Sequence, residues 1–69
     1  MKSDEEWLLA RGFPVQVEQE GPEIFWTHLV GPDKHVVAPN YGRGLTRDHS
    51  IKRARKRYEV EQLGEVPDT

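Results

Sequence analysis

The sequence contains no cysteine and no long apolar run, and these two absences set the first limits on the protein. Without cysteine there is no disulfide framework and no thiolate zinc site. No stretch approaches the roughly 18 consecutive apolar residues of a membrane-spanning helix. The segment 1–7, MKSDEEW, is acidic where a signal peptide is basic and then apolar. We therefore expect a cytoplasmic protein that is stabilised by packing alone, or by packing shared with a partner chain.

The chain is also short, with 69 residues, so it forms one domain at most. A chain of this size buries only roughly 60% of the surface that its unfolded form exposes, which argues against a deep, enclosed active site. Residues 64–69 contain glycine, proline and two acids, a composition typical of a flexible tail. The sequence thus predicts a single domain over residues 1–63 followed by a flexible C-terminal tail over residues 64–69.

Positive charge is scarce outside one segment. Residues 43–57 carry seven basic side chains and one acidic side chain, a net charge of +6, whereas the other positions together carry −8. The net charge of −2 and the isoelectric point near 5.9 conceal this separation. Because the two signs are segregated along the chain, we expect a surface of positive potential suited to a polyanion.

The N-terminal segment has the features of a short helix. Ser3 followed by three acids, with Glu6 three positions later, forms a capping box, and the acids also suit the positive end of a helix dipole. Gly12 is placed to adopt the left-handed conformation that ends a helix. The pattern predicts a helix over residues 4–11.

Three extended segments follow. Residues 15–20 alternate apolar and polar side chains, residues 24–30 are largely β-branched and aromatic, and residues 35–38 form a shorter third segment. Turn residues at 21–22 and 31–34 separate them. This order predicts a three-stranded antiparallel meander.

Two faces of this sheet follow if both turns are even-numbered loops. One face would carry Val15, Val17, Ile24, Trp26, His28, Val30, His35 and Val37, and the other Gln16, Glu18, Phe25, Thr27, Leu29, Val36 and Ala38. We predict that the first face is the core. The apolar members of the second face, Phe25, Leu29, Val36 and Ala38, would then form a patch suited to a homodimer or a protein partner. A one-residue change in the first turn would instead turn strand 1 over.

The C-terminal segment predicts a long helix over residues 47–63. Thr46 is a suitable N-cap, Gly64 a suitable end, and Ile51, Ala54 and Tyr58 recur at helical spacing. Four basic side chains lie on the opposite side of this helix, facing solvent or a ligand: Lys52, Arg53, Lys56 and Arg57. The fold class is therefore α+β, an αβββα domain with both helices packed on one face of the sheet.

The basic helix is the main candidate site. Clustered lysines and arginines bind phosphates by displacing condensed counterions, and a helix sets them at fixed spacing. The Gly-Arg-Gly segment 42–44 would form a flexible loop leading to the free amides of the helix N-terminus, which favour an anion. Tyr41 would be placed for base stacking. The predicted nucleic-acid-binding residues are Tyr41, Arg43, Arg47, Lys52, Arg53, Lys56 and Arg57.

Two other interpretations of the basic helix stay open. It can be a solvated face stabilised by i,i+4 pairs, Asp48 with Lys52, Arg55 with Glu59 and Arg57 with Glu61. It can also dock an acidic protein partner.

The three histidines suggest little metal chemistry, because they lack paired zinc-ligand spacing, and no cofactor is expected. Asp48-His49-Ser50 cannot act as a hydrolytic triad, since adjacent helix positions point about 100° apart. In the even-loop register His28 and His35 would be diagonal neighbours, which would allow acid and base roles in cleaving RNA through its 2′-hydroxyl. A ribonuclease is therefore the alternative to a non-enzymatic module.

The element order and these residues resemble the double-stranded RNA-binding domain. VEQEGP enters the first turn, an aromatic-rich second strand follows, and GRGLT leads into a basic final helix with Ala54. Thr46-Arg47-Asp48 stands where that family carries consecutive lysines at the helix N-terminus. The resemblance implies an RNA-binding αβββα module, with RNA favoured over DNA.

A second resemblance is to the HicA-type messenger-RNA interferase toxins, carried by LLARGF and HVVAP. Those toxins carry a catalytic histidine after a glycine at the first turn, where this chain has Gly21-Pro22-Glu23. This resemblance implies an RNA-cleaving toxin or an inactive relative of one.

Overall fold

The computed structural model describes residues 3–64, which form two helices and one antiparallel sheet. The elements are α1 (Asp4–Ala10), β1 (Val15–Gly21), β2 (Ile24–Val30), β3 (Val36–Gly44) and α2 (Arg47–Leu63). The strand order is β1-β2-β3, and both helices pack on the same face of the sheet. The predicted αβββα architecture is confirmed. Residues 65–69 of the predicted tail lie outside the described residues.

Both helices begin and end where their caps predict. The Ser3 hydroxyl accepts a hydrogen bond from the Glu6 amide at 3.2 Å, and the Thr46 hydroxyl accepts one from the His49 amide at 3.1 Å. At the opposite ends Gly12 and Gly64 have φ of +89° and +72°, the left-handed conformation that favours glycine. Within residues 3–64, no helix is long and apolar enough to cross a membrane.

The predicted core face of the sheet was wrong for β2 and β3, where Val30 alone of the residues assigned to that face is buried. Val15 lies opposite Leu29 and Val17 lies opposite Thr27, so the residues of β1 predicted as core share their face with the odd-numbered residues of β2. The cause is a bulge in β1, because the register shifts between Gln19 and Gly21. One extra residue in a strand turns every later side chain to the other face. The alternative in which strand 1 turns over is the one that the structure adopts.

The predicted end of β3 at residue 38 was also wrong, since the strand runs to Gly44. It passes through a second irregularity, where Asn40 adopts a φ of +50°, a conformation that asparagine tolerates. The Gly-Arg-Gly segment therefore belongs to a strand and is not a flexible loop.

The core lies between this sheet face and the two helices. Its buried apolar residues are Leu8, Leu29, Tyr41, Ile51 and Ala54. Leu29 and Ala38 pack into or against this core, so the predicted apolar patch on the outer face does not exist as described. Of the four residues of that predicted patch, Val36 alone is exposed.

Candidate nucleic-acid interface

Three of the arginines on α2 are bound to carboxylates. Arg47 donates to Glu5 at 3.1 and 3.4 Å, and Arg57 donates to Glu61 at 3.1 Å. Arg55 contacts Asp4 at 3.1 Å and the carboxylate one turn along the helix at 3.7 Å. The hydrogen bond and the charge of Glu5 raise the pKa of Arg47. Acids of α1 and of the last turns of α2 thus neutralise this set.

Tyr41 does not offer a stacking surface. Its side chain is 9% exposed, its hydroxyl donates to Glu61 at 2.7 Å, and the Arg57 guanidinium lies 4.5 Å from its ring centroid. Burial and the hydrogen bond to the carboxylate raise the pKa of Tyr41 above its ordinary value. The residue fastens the C-terminal half of α2 to β3, a structural role that the sequence pattern did not reveal.

Four other cations form no ion pair with any carboxylate of residues 3–64, and we name them the basic patch: Arg43, Lys52, Arg53 and Lys56. The three helical members are exposed. Together with His49 they line a shallow depression of about 410 Å³ on the outer side of α2. The predicted pair between Asp48 and Lys52 is not formed.

Arg43 extends the basic patch from the helix to the sheet. It lies near the end of β3, an edge strand, and shares a second depression of about 340 Å³ with His49 and Arg53. Its guanidinium lies 5.5 Å from the ring centroid of Trp26, its cross-strand neighbour. The patch is therefore continuous around the β3 edge of the molecule.

His49 lies between the two depressions and was not predicted as a site residue. Its Nδ1 is 3.5 Å from the Leu45 amide nitrogen, and its Nε2 is 3.4 Å from the Arg53 Nε. Both neighbours are donors, and a neutral imidazole has only one acceptor nitrogen, so these contacts are long and only one can be a hydrogen bond at a time. The i,i+4 spacing of His49 and Arg53 in the sequence could have indicated that these two side chains meet on the helix.

The N-terminus of α2, where the sequence predicts an anion, has acidic side chains beside it. The Thr46 hydroxyl already caps the helix, and a depression beside this end is lined by acids: Asp4, Glu5 and Asp48. Of the predicted binding residues, the structure thus brings together Arg43, Lys52, Arg53 and Lys56. Arg47 lies apart from them, beside Glu5 at the N-terminal end of α2.

The predicted acid and base pair is not assembled either. His28 Nδ1 accepts from the Asn40 amide at 2.8 Å, and its Nε2 lies 3.3 Å from a Glu18 carboxylate oxygen. His35 is exposed and pairs with Asp33 at 3.0 Å. Each histidine has its own partners, and residues 3–64 contain no cluster of metal-ligating side chains.

Comparisons with protein-family models, with curated proteins and with solved structures find no match to this chain. The two family resemblances therefore stay predictions from the sequence.

Proposed function

We propose that this protein is a small non-enzymatic module that binds nucleic acid through the basic patch. One observation carries the proposal. Four cations in one continuous region lack carboxylate partners among residues 3–64, whereas the three neighbouring arginines on α2 all have them. RNA is the expected ligand because the element order resembles that of RNA-binding domains.

The separation into paired and unpaired cations supports binding of a polyanion. The carboxylate beside a paired arginine offsets its positive charge and so weakens its attraction for a phosphate. An unpaired cation already faces solvent, and its contact with a phosphate releases a condensed counterion into solution. Such contacts fix a strand in place without reading its sequence, so weak base preference is expected.

The first test is salt dependence, measured by fluorescence anisotropy of a labelled single-stranded RNA. Each neutralised phosphate contributes a slope of about −0.7 to log K against log[salt] for a single strand. Four contacts give a slope of about −3. Binding that is independent of salt, or no binding at micromolar protein, would contradict the proposal.

The second test compares two variants with the same change in net charge. The patch variant is Lys52→Gln with Lys56→Gln, and the control is Arg47→Gln with Arg57→Gln. Removing the two patch lysines should reduce the slope magnitude by about 1.4 and weaken binding strongly at low salt. The control should bind nearly as tightly as the unchanged protein, since its arginines are held by acids. Equal losses would mean that net charge alone decides binding, and the patch would have no special role.

A further inference from the structure

Trp26 lies on the face of the sheet that the helices do not cover. Thr27 follows Trp26 in β2, and Gly42 precedes Arg43 in β3. Thr27 and Gly42 pack beneath α2, and successive residues of a strand point to opposite faces. Trp26 and its partner Arg43 therefore point the other way. The indole is half-buried, and its Nε1–H donates to a Glu20 carboxylate oxygen at 2.6 Å. This hydrogen bond fixes the orientation of the ring.

The charge of the side chains changes from negative to positive across this face of the sheet. Glu18 on β1, Trp26 on β2 and Arg43 on β3 lie opposite one another. The cation belongs to the basic patch, and the carboxylates of Glu18 and Glu20 lie on the β1 side. A phosphate chain is attracted to the β3 edge and repelled from β1, whereas an uncharged base can lie over the indole between them.

We propose that the ligand is a single-stranded nucleic acid whose phosphates follow the basic patch around the β3 edge and one of whose bases stacks on Trp26. This inference rests on the proposed function, because the basic patch supplies the phosphate contacts. Arg43 joins the two parts, since it lines the second depression with His49 and Arg53 and its guanidinium lies 5.5 Å from the centroid of the indole. Stacking on an aromatic side chain tolerates every base.

A single strand fits this arrangement better than a duplex. Bases in a duplex are stacked on one another and paired, so their faces are unavailable to a side chain. The fixed indole is also pre-organised, so that little side-chain freedom is lost when a base stacks on it. The other tryptophan cannot serve, because the guanidinium groups of Arg11 and Arg55 lie 3.7 and 4.4 Å from the centroid of the Trp7 ring and Tyr58 also packs against it.

The experiment uses the full chain carrying Trp7→Phe, so that Trp26 is the only indole that emits. Three probes are titrated at low salt: a single-stranded RNA of about 12 nucleotides, within the range of known single-strand sites, the matching blunt duplex, and inorganic polyphosphate. Binding is measured by anisotropy of labelled RNA, directly or by competition, and stacking by quenching of Trp26 emission. The single strand should bind and quench, whereas polyphosphate should bind without quenching.

Two variants of the same sheet face complete the design. Trp26→Ala should weaken binding of the single strand by about 5- to 150-fold, the loss of one stacked base, and leave polyphosphate binding unchanged. Val36→Ala, which shortens an exposed apolar side chain on this face near His28, should change neither. Circular dichroism establishes that each variant is folded, and Trp26→Phe keeps an aromatic ring if Trp26→Ala does not fold.

The outcomes separate this inference from the proposed function. If RNA and polyphosphate bind but Trp26 emission does not change and Trp26→Ala binds normally, the stacking inference is wrong and the basic patch stands. Tighter binding of the duplex than of the single strand would overturn the inference in the same way. If no probe binds, the proposed function fails and the inference fails with it.

Discussion

Gly42 of β3 lies directly against the backbone of Ser50 on α2, with no room for a side chain between them. A Cβ placed on Gly42 would meet the Ser50 carbonyl oxygen, and it would stand 2.6 Å from the Ala54 amide nitrogen. The absence of a side chain at this position lets the basic helix lie close to the sheet. This contact sets the position of α2, and therefore of the basic patch, relative to β3.

The first prediction concerns this contact. Gly42→Ala should destabilise the protein by about 1–3 kcal/mol or more, because the added methyl group forces backbone atoms of α2 outward. The measurement is urea unfolding followed by circular dichroism. Gly21→Ala is the control, since its Cβ would meet only the Ile24 side chain, at 3.5 Å, and should change the free energy of unfolding by less than about 1 kcal/mol. Similar values for both variants would contradict the proposed role of the close approach.

The second prediction concerns two buried hydroxyl groups. The Ser50 hydroxyl donates to the Arg47 carbonyl oxygen at 2.8 Å and lies 2.7 Å from the Thr27 hydroxyl, so Thr27 is the donor in that pair. Ser50→Ala should cost about 1–3 kcal/mol, because it leaves the Thr27 hydroxyl buried without an acceptor. The double variant Thr27→Val with Ser50→Ala should be less destabilised than the sum of the single variants. Simple additivity in this cycle would show that the hydroxyl groups do not interact.

The third prediction is a dependence of stability on pH at the end of α2. The hydrogen bonds from the Tyr41 hydroxyl and from Arg57 lower the pKa of Glu61. A carboxylate whose pKa is lowered by folding stabilises the folded state above its unfolded pKa, and this stabilisation is lost as the pH falls through the folded pKa. The melting temperature of the unchanged protein should therefore exceed that of Glu61→Gln at neutral pH. The difference should shrink in acid, and a constant difference would contradict the linkage.

The fourth prediction concerns the ion pair between the two helices. Arg55 contacts Asp4 of α1 and also covers the Trp7 ring, and both charged side chains are about one-third exposed. Arg55→Met keeps an apolar stem over the ring and removes the charge, so a loss of about 0.2–1 kcal/mol is expected. The loss should decrease at high salt. Lys56→Met, a change at an unpaired cation, should alter stability little, and a larger effect there would be unexpected.

Features that depend on neighbouring residues in the sequence were predictable. The caps at Ser3 and Thr46, the end of α2 at Gly64 and the bounds of β2 each follow from a few adjacent side chains. These features depend on residues close together in the sequence, so the pairing of distant segments does not change where the elements begin and end.

Features that depend on pairing between distant segments were not predictable. One bulge in β1 decides which face of β2 is buried, and a single extra residue leaves the alternation of the strand almost unchanged. The strand character of residues 39–44 depends on α2 lying over the glycines. The α1 partners of Arg47 and Arg55 lie 42 and 51 positions away, which no charge count along the chain can assign. The pairs of Arg55 with Glu59 and of Arg57 with Glu61 follow from i,i+4 spacing in the sequence, whereas the pairs of Arg47 and Arg55 with acids of α1 follow only from the fold.

The carboxylates of Glu18 and Glu20 lie on the β1 side of the sheet, and the basic patch lies along α2 and the opposite edge of the sheet, formed by β3. A small body with charges divided in this way has an electric dipole moment, and the field of an approaching polyanion exerts a torque on it. The torque turns the molecule before contact, so that a larger share of collisions occurs in a productive orientation. The association rate, and not only the affinity, should therefore decrease when salt screens the field.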